Sequence, residues 1–274
     1  MNLLIFSANW YNRGDESAIR AMIDEIRIVF PDSHIKIHFN QPVKEIPYDD
    51  IEILNPFIRC AGRNIFKNIF YNLALRTNGK IPYIGADAAN FRAFVDAVKW
   101  ADYAIYAPGG PCIGDYYNVR RLLLDIIEMI LRNGVPYSLF APSVGPFSVD
   151  EKRVKYLIDQ AKVVCFRESI SQGYYAALSP EKKTTVTLDS AFQHEIDLKE
   201  NRSKLDGYKE LSDFLKKSEK VIGITVTDLK WHRKYRESDI NITIANTFHE
   251  FLQYIEEKGY SVLFIPQLFG ANND

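Results

Sequence analysis

Cysteine is scarce in this chain of 274 residues: Cys60, Cys112 and Cys165 are widely spaced and form no CxxC pair. An odd, dispersed set argues against a disulfide framework and a thiolate zinc site, and for a reducing, cytoplasmic setting. Long apolar runs are missing as well. The opening MNLLIFSANW has no basic flank and is too short for a signal peptide or a membrane span, so it reads as a first strand. Charge of one sign is not in excess. A net charge of -1 makes no electrostatic case for nucleic acid or an acidic membrane surface. Several chemical signatures are absent too. No GxGxxG follows the first strand, and there is no Walker motif, no HExxH, no GxSxG elbow and no Asp-x-Asp pair. Neither metal nor cofactor chemistry has support.

What is present is the composition of a globular protein, 47% hydrophobic and 25% charged, long enough for one large or two ordinary domains. Residues 3–8 are an apolar run, 9–15 a polar loop, and 16–29 carry apolar residues at helical spacing until Pro31. Residues 34–39 alternate apolar and polar. Strand, loop, helix, strand is the opening of a parallel sheet. The same unit recurs. Residues 103–107 make a short buried strand that breaks into Pro108, Gly109, Gly110 and Pro111, with a helix over 119–133. Strands over 137–140, 163–166 and 185–188 alternate with helices over 150–161 and 169–178. The stretch 41–83 is less regular. Its RNIFKNIFYNLALR reads as an amphipathic core helix, with an insertion over the site as the other reading. Residues 193–220 are polar and read as a linker followed by a short helix. A second α/β unit begins at 221, with its helix over 240–258 and its next strand over 262–265. The expected fold class is therefore α/β, with a first domain over 1–192, a linker over 193–220 and a second domain from 221.

In a parallel sheet the carboxyl ends of the strands share one edge, and ligands bind there. Asn12, Arg13, Gly14 and Asp15 lie after the first strand. Gly109, Gly110 and Asp115 follow the strand at 103–107, Ser143 and Gly145 the strand at 137–140. Arg167 ends one later strand and Asp189 the next. An arginine at such a point can clamp a carboxylate or phosphate, or simply pair with an acid such as Glu168. Asp189 suits a base or a helix cap. His232, in the basic and aromatic DLKWHRKYR, suits an anion contact or a solvated loop.

Taken in order, NWYNRGDESAI, ADYAIYAPGG, GVPYSLFAPSVGPF, VVCFRESISQGY, VTLDSAF and VLFIPQLFGANND resemble the polysaccharide pyruvyl transferase family over nearly the whole chain. Two departures are visible. The family usually has a third glycine where Pro108 or Pro111 flanks Gly109 and Gly110. It also carries an arginine and histidine pair late in its second domain, and this sequence stops before that point, so the second domain is expected to be unfinished at Asp274. The resemblance implies two Rossmann-like domains facing across a cleft, as in B-type glycosyltransferases. It implies transfer of a pyruvyl group from phosphoenolpyruvate to two hydroxyls of a sugar or lipid-linked oligosaccharide, in surface polysaccharide synthesis, with no cofactor. Arg167 then matches the family's donor-binding arginine. Asp15, Asp115 and Asp189 are candidates for proton transfer or sugar contacts. A nucleotide-sugar-dependent glycosyltransferase and a non-catalytic glycan-binding relative are the alternatives.

Overall fold

The computed structural model describes residues 1–57, 65–83, 87–115, 120–226, 235 and 239–268. The chain divides into two compact units, 1–194 and 195–274.

The first unit opens with β1 (Asn2–Ala8), α1 (Arg13–Val29), β2 (His34–Phe39) and β3 (Glu52–Leu54), followed by α2 (Ile65–Arg76) and α3 (Ala88–Trp100). It continues through β4 (Tyr103–Tyr106), β5 (Gly109–Ile113), α4 (Arg120–Arg132), β6 (Tyr137–Phe140) and β7 (Pro142–Val144). It closes with α5 (Glu151–Gln160), β8 (Val163–Phe166), α6 (Ser169–Leu178), β9 (Thr185–Val186) and a 3₁₀ turn at Ser190–Gln193.

Seven of these strands form one sheet in the order β3-β2-β1-β4-β6-β8-β9. Every pairing is parallel. The expected α/β class is what is observed. Strand β1 shows why its run is continuously apolar rather than alternating. Leu4 and Phe6 belong to a core with α3, α4 and α5, whereas Leu3 and Ile5 belong to a second core with α1. A strand covered on both faces has no polar side. The chain winds outward from β1 through β2 and β3, then returns and winds the other way from β4. The order therefore reverses between β1 and β4, and a crevice opens at their carboxyl ends.

Two expectations need correction here. The stretches read as plain loops after β4 and β6 are themselves strands. β5 and β7 pair in parallel as a second, two-stranded sheet. Their amides found backbone partners in each other, which no local signal announces. The segment 193–220 also holds more structure than a linker and one short helix. It carries α7 (Leu198–Gly207), capped by Asp197, and α8 (Lys209–Lys217). The second unit then forms β10 (Val221–Ile224), α9 (Ile240–Glu257) and β11 (Ser261–Phe264), with β10 and β11 parallel. Gly259 ends α9 with φ +77°, a conformation that suits glycine.

One polar side chain is sealed into the first core. His38 of β2 is buried against the rings of Phe57 and Phe94, at centroid distances of 5.4 and 4.7 Å. Its Nδ1 accepts a long bond from the Ser7 amide, 3.4 Å, while its Nε2 has no partner among the described residues. Burial lowers its pKa from 6.5 to about 3. The folded protein therefore holds this imidazole neutral, while the unfolded chain takes up a proton below its ordinary pKa. Stability is present above pH 6.5 and lost as pH falls toward 3. Each pH unit in that window costs about 1.4 kcal/mol from this group. In denaturant titrations between pH 7 and 4.5, His38→Leu is expected to flatten the acid slope, whatever its stability at neutral pH. An unchanged slope would show that other groups dominate.

Candidate functional site

The crevice between β1 and β4 is built from the first turn of α1 outward. Asn12 has extended backbone and its side chain accepts from the Gly14 amide at 2.9 Å, so α1 starts at Arg13, earlier than its apolar spacing predicts. Asparagine is a strong N-cap because its short side chain satisfies an amide that has no helical partner. Arg13 directs its guanidinium to Glu16, 2.7 Å away, and Glu16 also receives Arg20 at 2.6 Å. Asn12, Arg13 and Gly14 are thus engaged in starting the helix. Asp15, on the same turn, faces Gly109 instead. A Cβ on Gly109 would stand 3.1 Å from Asp15 Oδ1, and Gly109 has φ +150°. Glycine is therefore favoured at 109 by its backbone angle, and a Cβ there would crowd the carboxyl.

Arg167, directly after β8, is held from two sides. Its Nε donates to Ser143 Oγ at 2.7 Å, and its Nη1 donates to Asp189 Oδ2 at 2.6 Å. Ser143 comes from β7, and Asp189 caps the 3₁₀ turn by accepting from the Ala191 amide at 3.0 Å. The ion pair is shielded, with side chains 27% and 21% exposed. Nη2 of Arg167 has no partner among the described residues. Burial pushes the Asp15 carboxyl from 3.8 to about 6, with Arg167 working against the shift and Asp189 adding to it. Asp15 is thus within electrostatic reach of the pair. A guanidinium, a carboxyl that exchanges protons near neutral pH and a glycine floor therefore meet at one edge of the sheet.

Ser171 and Ser190, which sequence reasoning did not single out, and Glu168, which it read only as a partner for Arg167, hold this arrangement. Ser171 of α6 is buried, and its Oγ accepts from the Val144 amide at 2.7 Å, fixing β7. Glu168, the N-cap of α6, accepts from the Ser171 amide at 2.8 Å and from its hydroxyl. Burial works against the Glu168 carboxylate, but the Ser171 bonds prevail and hold its pKa below the ordinary value. Ser190 donates to the Ala18 carbonyl at 2.8 Å and so ties the turn after Asp189 to α1. The E-x-x-S spacing at 168–171 is a reversed capping box and was a readable signal; Ser190 had none. The cap of α6 is accordingly Glu168, and Arg167 pairs with Asp189, not Glu168.

The remaining expected site residues fall as follows. Gly145, φ +80°, lies against Tyr174, where a Cβ would come within 2.6 Å of the ring. It follows β7 and its amide donates to the Ile113 carbonyl at 2.8 Å. Asp115 lies just past β5, its amide donating to the Pro146 carbonyl at 3.0 Å. A Cβ on Gly110 would meet open space. His232 lies outside the described residues.

The family model described as polysaccharide pyruvyl transferase matches residues 12–269. A comparison with curated proteins finds no match. Among solved structures, an apo structure of OtsA aligns over 98% of this chain and 74% of its own, at 11% identity and a TM-score of 0.45. A trehalose-6-phosphate synthase studied with bisubstrate glycomimetics aligns over 98% of this chain and 73% of its own, at 12% identity and a TM-score of 0.43.

The raised Asp15 pKa has a thermodynamic consequence. Below pH 3.8 the carboxyl is protonated in both folded and unfolded chains. Above that, the folded state keeps a proton the unfolded state releases, so stability falls as pH rises through about 6. Asp15→Asn is therefore expected to stabilise the protein at pH 8 by on the order of 1–3 kcal/mol, and by progressively less toward pH 4. Thermal midpoints of both proteins across pH 4–8 test this. A constant difference would mean that Asp15 ionises normally.

Proposed function

The chain belongs to the polysaccharide pyruvyl transferase family, and we propose that its donor is phosphoenolpyruvate and its product a cyclic ketal on a sugar of a surface or extracellular polysaccharide. The observation that carries this reading is Arg167, bracketed by Ser143 and Asp189 with Nη2 turned to no described partner, beside the half-buried carboxyl of Asp15.

The reaction has definite electronic demands. A proton added to the enol methylene turns it into a methyl group and leaves an oxocarbenium-like carbon. A sugar hydroxyl adds there and loses its proton. Phosphate then departs with the electron pair of its C–O bond, and a second hydroxyl of the same sugar closes the ketal, losing its own proton. The donor carries a carboxylate and a phosphate throughout, so a cation fixed in place is needed before any proton moves. Arg167 fills that role. Its charge is only partly spent on Asp189, and its planar fork suits an oxyanion. Asp15, with a pKa of about 6, is suited to give the methylene its proton or to take one from a hydroxyl. Gly109 leaves the space in front of that carboxyl open. Asp189 acts by holding Arg167, and Ser143 acts with it. Asp115, Gly110 and His232 remain candidates for sugar contacts.

Isothermal titration with phosphoenolpyruvate, and mass spectrometry after incubation with galactose, mannose and N-acetylhexosamine acceptors, test the proposal. Arg167→Ala is expected to weaken phosphoenolpyruvate binding by about 10- to 100-fold, the worth of a charge-assisted contact. Asp15→Asn is expected to leave binding within a few-fold and to slow ketal formation by about 10²–10⁴-fold, the usual contribution of a positioned acid or base. Binding of nucleotide sugars in preference to phosphoenolpyruvate, or binding indifferent to Arg167, would overturn the reading.

A further inference from the structure

Helix α2 is apolar on two opposite faces. Ala74 and Leu75 are buried in the first unit's core, and Tyr71 packs against it. On the other side Ile69, Phe70 and Leu73 are 53%, 41% and 39% exposed. Ile69 and Leu73 are one turn apart and Phe70 flanks them, so they form a contiguous apolar surface rather than scattered exposures. Arg76 continues the same face at the end of the helix, and Lys80 follows just beyond it. Both are exposed. We propose that this face of α2 is a membrane-surface contact that seats the protein on anionic lipid headgroups, with Ile69, Phe70 and Leu73 entering the headgroup region and Arg76 and Lys80 meeting lipid phosphates.

Charge selects this occupant. The near-neutral net charge of the chain is an average that conceals a local asymmetry. Residues 53–86 contain no acidic residue at all, against five cations: Arg59, Arg63, Lys67, Arg76 and Lys80. Acid-free basic sequence around exposed apolar side chains is the chemistry that anionic interfaces attract. The exposed apolar residues at 192–198 lack it. Phe192, Ile196 and Leu198 stand among Asp189, Glu195, Asp197 and Glu200, which an anionic surface repels. The cavity of about 420 Å³ beside α2 does not compete for the role, because it sets Arg76, Arg132 and Arg153 against Asp125, Glu128 and Asp150. Two of those acids are already engaged. Arg153 binds Asp125 at 2.5 Å and Glu128 at 2.7 Å, and Arg132 binds Glu128 at 2.8 Å. No helix among the described residues is long and apolar enough to cross a membrane, so the contact is with the surface.

The inference stands apart from the pyruvyl-transfer reading, and its test does not use activity. The chain is sedimented with vesicles of phosphatidylcholine alone or of phosphatidylcholine and phosphatidylglycerol at 3:1, in low and high salt. Binding is expected to the anionic vesicles only and to fall in high salt. Phe70→Ser/Leu73→Ser and Arg76→Glu/Lys80→Glu are each expected to weaken it about tenfold or more. Ile28→Ser, at the exposed end of α1, is expected to leave it unchanged. Circular dichroism establishes that each variant is folded. Absence of anionic-vesicle binding by the wild-type chain, or binding retained in both α2 variants, would overturn the proposal. So would self-association of the wild-type chain, abolished by Phe70→Ser/Leu73→Ser, without vesicle binding. That outcome would assign the face to a contact between copies.

Discussion

A guanidinium shielded from water must be neutralised, and much of the first unit's functional edge is organised around doing so for Arg167. The side chain leaves the end of β8 and meets Asp189 from beyond β9 and Ser143 from β7. Three separate segments thereby acquire a fixed spacing. The surrounding bonds then hold those segments to the rest of the unit. Ser171 secures β7 against α6, Glu168 secures Ser171, and Ser190 secures the turn after Asp189 against α1. Removing one charge of a shielded pair leaves the other without compensation, which is why such pairs are costly to break.

Asp15 shows the opposite economy. It sits where a carboxylate is poorly solvated, and the nearby Arg167 does not fully offset that because Asp189 already claims part of its charge. The result is a group that costs stability once it ionises and that releases its proton near pH 6 rather than near 4. Perturbed carboxyl groups in clefts mark functional sites for this reason. The small β5–β7 sheet contributes by geometry rather than charge. It carries Ser143 toward Arg167 and brings Gly109, which has no side chain to block the carboxyl.

The surface of the same unit carries a separate asymmetry. Acids and bases nearly cancel over the chain, yet they are not evenly mixed along it. A helix that is apolar on two faces buries only one of them when it packs on one side of a core. In α2 the other face points outward, within a stretch that has lost every acid. Net charge is an average over the chain, and it does not describe how acids and bases are distributed along it.

The amino-acid sequence by itself determined the parallel α/β class, the place of most strands and helices, and the sheet edge that carries the candidate residues. Continuous apolar strands, periodic helices and polar strand ends are local patterns, and parallel topology sends all strand ends to one side. Asp15, Gly109, Ser143, Arg167 and Asp189 were legible as candidates on that ground. Tertiary structure alone decided which of them meet. Pairing Arg167 with Asp189 rather than Glu168 depends on where β9 ends in space. The β5–β7 sheet depends on backbone amides from segments far apart in sequence. The roles of Ser171 and Ser190 depend on which carbonyls and amides packing brings within reach. Hydrogen bonds and ion pairs act over a few ångströms, and distances of that kind between remote residues exist only once the chain has folded.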